Sequence, residues 1–260
     1  MSGFDPDRFA AMLAEARAAR EALGAFSPDV APSTVAEGAA AQAALARRVG
    51  AMPPAGFKIG ATAQRMQAYL GLSGPVAGFM PASGVHRSGA ALPHAQFVAP
   101  GVECEVMVRL GRDLPPGPCT PAEARAAVDG FFAGIEIVEN RYRNLGTLGV
   151  PSLSADQVFH AGCIMGAEPA DWRALDIPAL AGRLLVDGDV QSEGVAGDLL
   201  GDPFNCLAWL AGSEEAAAFG GLSAGQLVML GSVTPPIWLS GPGHVVVAFE
   251  HLPPVELHLT

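Results

Sequence analysis

Lysine is almost absent from this chain: of its 15 basic residues, only Lys58 is not an arginine. Nucleic-acid binding needs clustered Lys and Arg to neutralise phosphates, and a formal net charge of -11 argues against that partner. Cysteine is scarce as well. Cys104, Cys119, Cys163 and Cys206 form no CxxC pair, which leaves neither a disulfide framework nor zinc-ligand spacing. We read all four as reduced structural thiols. No apolar run approaches the roughly 18 residues of a membrane span. The opening MSGFDPDRFA lacks the apolar stretch of a signal peptide. The expectation is a cytoplasmic protein with no membrane and no nucleic-acid partner. GxSxG, P-loop and GxGxxG motifs are missing too, so nucleophilic-serine and nucleotide chemistry have no local support.

What remains is an apolar, loop-rich chain of 260 residues, half of them hydrophobic, with 32 Gly and 22 Pro. Apolar spacing predicts a helix over 5–24, capped by Asp5 or Asp7 and closed by Gly24. A second helix is predicted from Thr34 to Val49 with Ser33 as its cap. The stretch Met52-Pro53-Pro54-Ala55-Gly56 then divides a helical N-terminal region, 1–52, from a β-rich catalytic domain, 53–260. Strands are predicted at Val102–Leu110, Gly130–Val138, Gly182–Val186, Leu227–Leu230 and Val245–Phe249, and helices at Pro121–Val128 and Pro203–Gly212. This irregular mixture reads as α+β rather than a strict βαβ alternation.

The carboxylates carry the chemistry. In a strand, alternate side chains share a face, so Glu103, Glu105 and Met107 point one way, and Val102, Cys104, Val106 and Val108 the other. Glu136 interrupts the apolar run Phe131–Val138. An ionised carboxylate inside such a run needs a proton, a cationic partner or a metal. Three carboxylates from two strands make a hard oxygen site suited to Mg²⁺ or Mn²⁺ rather than zinc. Lys58, in Gly56-Phe57-Lys58-Ile59-Gly60, is the second candidate. An arginine cannot shuttle protons near neutral pH, whereas a lysine can be tuned to do so. The sequence shows no network around Lys58, so a Lys58→Arg exchange is expected to leave stability unchanged. Of the histidines, His160 is the one singled out; His244, His251 and His258 read as surface or satisfied residues of the C-terminal strands.

GFKIGAT at 56–62, PGVECEVMVRLGRDL at 100–114, GIEIVENRY at 134–142, DPFNCLAWLAG at 202–212 and LGSVTPPIWLSGPG at 230–243 fall in the order of one family. Together they resemble the 2-keto-4-pentenoate hydratases of the fumarylacetoacetate hydrolase superfamily, over about residues 40–260. The resemblance implies a β-rich mixed-sheet roll under an N-terminal helical cap. It also implies a homo-oligomer, with a sister pathway enzyme as a further partner, working in aromatic catabolism. Glu103, Glu105 and Glu136 then match the metal ligands, and Lys58 the catalytic lysine. His160 and Gln157 become candidates for the remaining catalytic work, and Arg141 and Ser232 for binding the substrate, a small 2-oxo acid or dienoate. The implied reaction is hydration of a 2-hydroxy-2,4-dienoate to a 4-hydroxy-2-oxo acid.

Two departures stand out. Gly78-Phe79-Met80-Pro81-Ala82-Ser83 has no carboxylate where the family's hydratases carry a proton-transferring Asp. Their Ala-Asp-Asn-Ala-Ser pattern is Ala155-Asp156-Gln157-Val158-Phe159 here. Arg141-Tyr142-Arg143-Asn144 is, moreover, similar to the sister 4-oxalocrotonate decarboxylases. Decarboxylation, carbon–carbon bond hydrolysis and a non-catalytic partner role therefore stay open beside hydration.

Overall fold

The computed structural model describes residues 3–70, 72–144 and 148–260. Two helices open the chain, α1 (Pro6–Ala19) and α2 (Val35–Arg48). Asp5 caps α1 by accepting from the backbone N–H groups of Asp7 and Arg8. The helix stops short of Gly24 because Arg20 turns left-handed, at φ 55, and returns its N–H to the last carbonyls. Thr34, not Ser33, caps α2. Its hydroxyl accepts from the Glu37 N–H while the Glu37 carboxylate reaches back to the cap backbone, a reciprocal capping box. Ser33 adds a hydroxyl bond to the same carboxylate.

Beyond the helices lie two sheets. The first contains β1 (Gly56–Gly60), β2 (Val76–Met80), β3 (Val85–Arg87), β5 (Pro100–Leu110), β6 (Val128–Glu139), β7 (His160–Met165), β10 (Leu227–Ser232) and β11 (Ile237–Trp238). Its order is β2-β1-β10-β5-β6-β7-β3, with β11 pairing to β5. The second contains β4 (Ala90–Leu92), β8 (Ala181–Val186), β9 (Asp189–Val195), β12 (Gly243–Phe249) and β13 (Val255–Leu259), in the order β4-β13-β12-β8-β9. Shorter helices intervene: α3 (Gln64–Leu70), α4 (Pro121–Ala127), α5 (Val150–Ala155), α6 (Pro203–Ala211) and α7 (Glu214–Ala218). Parallel pairs such as β1–β10 sit beside antiparallel ones such as β5–β6, so the sheet is mixed.

Alternation along β5 and β6 sorts side chains into two environments. Val102, Cys104, Val106 and Val108, with Phe131, Ala133, Ile135 and Ile137, enter the main core together with Val245, Val247 and Leu257 of the second sheet. Each fully buried aliphatic of this kind contributes about 1.5–3 kcal/mol. Met107 and Phe132 take the opposite face and cluster with Met80, Cys163, Met165 and Met229. The candidate carboxylates share that second face. The edge strand β2 would leave backbone groups unpaired, and side chains cover them. Gln42 of α2 accepts from the Phe79 N–H at 2.9 Å and donates to the Ala77 carbonyl at 2.9 Å. Ala41, Ala44 and Leu45 on the same helix are buried in the main core, so the N-terminal helices and the sheets share one interior.

Candidate metal centre

The register of β5 against β6 sets Glu103 directly opposite Glu136 and Glu105 opposite Gly134. One oxygen from each of Glu103, Glu105 and Glu136 lies within 4.8 Å of the others. Two strands to one side, β1 carries Lys58 opposite Met229 of β10, and the ammonium reaches across to Glu136 Oε1 at 3.2 Å. From the other side, His160 at the start of β7 brings Nδ1 to the same oxygen at 2.8 Å. Lys58, Glu136 and His160 are all 2% exposed or less.

The electrostatics of this cluster are unbalanced. Burial alone would raise the Glu136 carboxyl, but the Lys58 ammonium and the His160 hydrogen bond hold it below its ordinary range. Its two neighbours also feel the Lys58 charge, but too weakly to offset burial and repulsion. Desolvation, then the Glu136 charge, push Glu103 up to about 8, and the same causes take Glu105 well above the usual carboxylate range. Glu136 Oε2 is buried with no hydrogen-bond partner, which costs about 1–3 kcal/mol or more for a charged group. One ammonium cannot balance three crowded carboxylates, and a divalent cation would. An all-oxygen donor set with an orphaned carboxylate oxygen fits a hard divalent cation.

Glu105 is aimed by a feature the strand pattern does not reveal. The β10 ladder shifts register between Met229 and Ser232, and within that bulge the Gly231 N–H donates to Glu105 Oε2 at 3.0 Å. Gly231 has φ +121, and a Cβ there would lie 2.0 Å from Thr62 Oγ1. Only glycine fits. The motif LGSV at 230–233 carries this signal, though its glycine reads from sequence as an ordinary strand end. Ser232 donates to the Thr234 carbonyl at 2.7 Å and, with Glu103 and Glu105, lines a void of about 30 Å³. That is room enough for at least one water.

Gln157 donates to the Phe79 carbonyl at 2.6 Å and accepts from Arg17, so its amide is spent on the protein. Arg141 gives Nε to Asp156 Oδ2 at 3.1 Å, one terminal nitrogen to Glu139 and the His160 carbonyl, and the other to the Asp156 carbonyl. Both hold the chain in place, and both also line the cavity beside His160. What they hold is strained. Gln157, Val158 and Phe159 have φ of 58, 51 and 66, a left-handed run that costs about 1–3 kcal/mol per residue and more for a β-branched valine. Asp156 fastens it, accepting from Arg17, Arg141 and the Tyr142 hydroxyl. Gly78 lets it approach: a Cβ there would meet the Gln157 carbonyl oxygen at 2.6 Å. The segment ends on His160 and so delivers the imidazole to Glu136.

His160 Nε2 is buried without a partner, beside a cavity of about 370 Å³ that Arg17, Arg141, Gln157 and Phe97 also line. Burial lowers the His160 pKa against the pull of Glu136, which favours the neutral ring. The Asp absent from residues 78–83 is not supplied from elsewhere on β2. Gly78 stands opposite Lys58, and Phe79 and Met80 are fully buried. Among the described residues, no helix is long and apolar enough to cross a membrane.

Comparison with known proteins bears on the family and the fold. A family model, the fumarylacetoacetate (FAA) hydrolase C-terminal family, matches residues 50–259. A 2-keto-4-pentenoate hydratase of Burkholderia vietnamiensis is 31% identical over 180 residues, 69% of this chain and 68% of its own length. A 4-oxalocrotonate decarboxylase of a Pseudomonas species is 33% identical over 149 residues, 56% of this chain and 55% of its own. The matched stretches thus span between about half and two thirds of these relatives. In solved structures, the 4-oxalocrotonate decarboxylase of Pseudomonas putida G7, complexed with magnesium and adipate, superposes with a TM-score of 0.89 at 24% identity, covering 98% of this chain and 97% of that one. By the match over residues 50–259 and the mixed-sheet fold, the chain belongs to the fumarylacetoacetate hydrolase family.

Proposed function

We propose that the chain is a divalent-metal-dependent lyase that adds water to a 2-hydroxy-2,4-dienoate and yields a 4-hydroxy-2-oxo acid. The observation that carries this reading is the convergence of Glu103, Glu105 and Glu136 within 4.8 Å beside the buried Lys58. When bound, Mg²⁺ or Mn²⁺ would polarise the substrate's 2-oxygen and stabilise the negative charge that develops there. Lys58 Nζ, already 3.2 Å from Glu136 Oε1, moves the proton from the 2-hydroxyl to the far end of the diene. Water then adds its oxygen at C4 and its proton at C3. His160 holds Glu136 in place through Nδ1, and Ser232 forms part of the wall beside Glu103 and Glu105. In this reading residues 53–260 form the catalytic domain and residues 1–52 the cap. The reach of Arg17 from α1 to Asp156 and Gln157 supports the capping role of the first helix. The reading carries with it a cytoplasmic homo-oligomer, with a sister pathway enzyme as a further partner.

A second reading, decarboxylation of a 4-oxalocrotonate-type 2-oxo diacid, is supported by the 33% identity to a 4-oxalocrotonate decarboxylase. Decarboxylation needs the same electron sink but no water-activating base. Incubation with 2-hydroxypenta-2,4-dienoate and with 4-oxalocrotonate, each with and without Mg²⁺, followed by NMR of the products, separates the two. The expected result is Mg²⁺-dependent 4-hydroxy-2-oxopentanoate from the first substrate. Release of CO₂ from the second alone would establish the decarboxylase, and turnover of neither would remove both.

A further inference from the structure

We propose that His244, Glu256 and His258 form a second metal site on the exposed face of the five-stranded sheet, for a transition ion such as Cu²⁺, Zn²⁺ or Ni²⁺. His244 of β12 and His258 of β13 are directly opposed in register, and their rings stack with centroids 4.5 Å apart and planes 9° from parallel. Glu256 lies two residues before His258 and so on the same face. Its Oε2 stands 3.1 Å from His244 Nε2. One donor atom from each of the three lies within 4.8 Å of the others. To bind one ion both rings must swing out of the stack, so that each in-plane nitrogen lone pair meets it at the roughly 2.0–2.1 Å of a metal–imidazole bond; their exposure leaves room for that movement.

The framework beneath is fixed. Val245, Val247, Val255 and Leu257 anchor the opposite side of both strands in the main core. The His244 N–H donates to Asp187 Oδ1 at 2.8 Å, and the Glu256 N–H to Ser88 Oγ at 3.0 Å. The cluster is open to solution, with the His244 side chain 40% and the Glu256 side chain 46% exposed. Its chemistry differs from that of the three glutamates. Two imidazoles and one carboxylate select copper, zinc or nickel over magnesium, whereas an all-carboxylate set suits the hard ions. The two sites would therefore sort metals by type, and an ion held here would pin β13 to β12. Nothing in this inference depends on the reaction proposed above.

Copper titration of the full chain, in saturating Mg²⁺ and followed by EPR, tests it. The first equivalent of Cu²⁺ is expected to show hyperfine coupling to two imidazole nitrogens. His258→Ala should leave one, and the His244→Ala/His258→Ala pair none. Glu256→Gln keeps both rings and the strand pairing, and should weaken Cu²⁺ binding about tenfold or more, since even an outer-shell partner is worth that much. Fewer than two coupled nitrogens in the unmodified protein, couplings that survive the double substitution, or unchanged affinity in Glu256→Gln would each overturn the assignment.

Discussion

Replacing Lys58 with arginine is expected to lower kcat by about 10²–10⁴-fold, the usual worth of one general acid–base group. The exchange keeps a positive charge near Glu136 but removes a group able to give up a proton near neutral pH. The sequence shows no network at Lys58 to lose. The structure corrects that: the side chain is 2% exposed and paired with a fully buried carboxylate. A larger guanidinium must be forced into this space, so overpacking should cost roughly 1–3 kcal/mol of stability. The two effects separate by kinetics at a temperature where the variant remains folded. A chemical role lowers kcat, a role confined to holding a substrate carboxylate raises KM with kcat intact, and unmodified rates would remove Lys58 from the site.

Asp156→Asn is expected to destabilise the fold by about 3–5 kcal/mol, the typical result of removing one partner from a buried ion pair. Asp156 is fully buried and accepts from Arg17, Arg141 and Tyr142; the amide leaves two guanidiniums facing a neutral group. The same network sets a pH dependence. Burial would raise the Asp156 carboxyl, but Arg141 and Arg17 outweigh it and hold the value below that of an ordinary aspartate. A depressed folded value means that the stabilisation is complete above the unfolded value of about 3.9 and is lost as pH falls through the folded one. Urea midpoints of the two proteins should therefore differ by a constant amount above about pH 5 and converge below about pH 4. A gap that stays constant down to pH 3 would refute the linkage. Because Asp156 also fastens the left-handed run before His160, activity should fall even where Asp156→Asn is folded.

The carboxylates were the most legible part of the sequence, because strand alternation alone places Glu103 and Glu105 together and Glu136 stands out in an apolar run. The long strands β5 and β6 and helix α6 were readable for the same reason, as their patterns exceed one period. Of the short strands, those built on an aliphatic run between breakers, Gly182–Val186 and Leu227–Leu230, were readable as well. The segments that form β2 and β7, VAGFM and HAGCIM, interrupt their apolar residues with glycine, and what defines them is pairing with distant partners. Caps shifted by one or a few residues where a local bond decided the matter, as when Glu37 selected Thr34 over Ser33. The contribution of Arg17 could not be read at all. It lies 139 positions from Asp156, and in sequence it is one more arginine on an amphipathic helix. The bonds that Gln157 and Arg141 make to Arg17, Phe79 and Asp156 are not legible either, because a motif marks that a residue matters without showing which atoms it touches.

Manganese anomalous diffraction from crystals grown with Mn²⁺ tests the central claim most directly. The account predicts one ion with an oxygen of Glu103, Glu105 and Glu136 each at about 2.0–2.6 Å, and none at that position in Glu136→Gln crystals at the same Mn²⁺ concentration. Manganese bound elsewhere, with the three carboxylates still facing only Lys58, His160 and the Gly231 N–H, would contradict it.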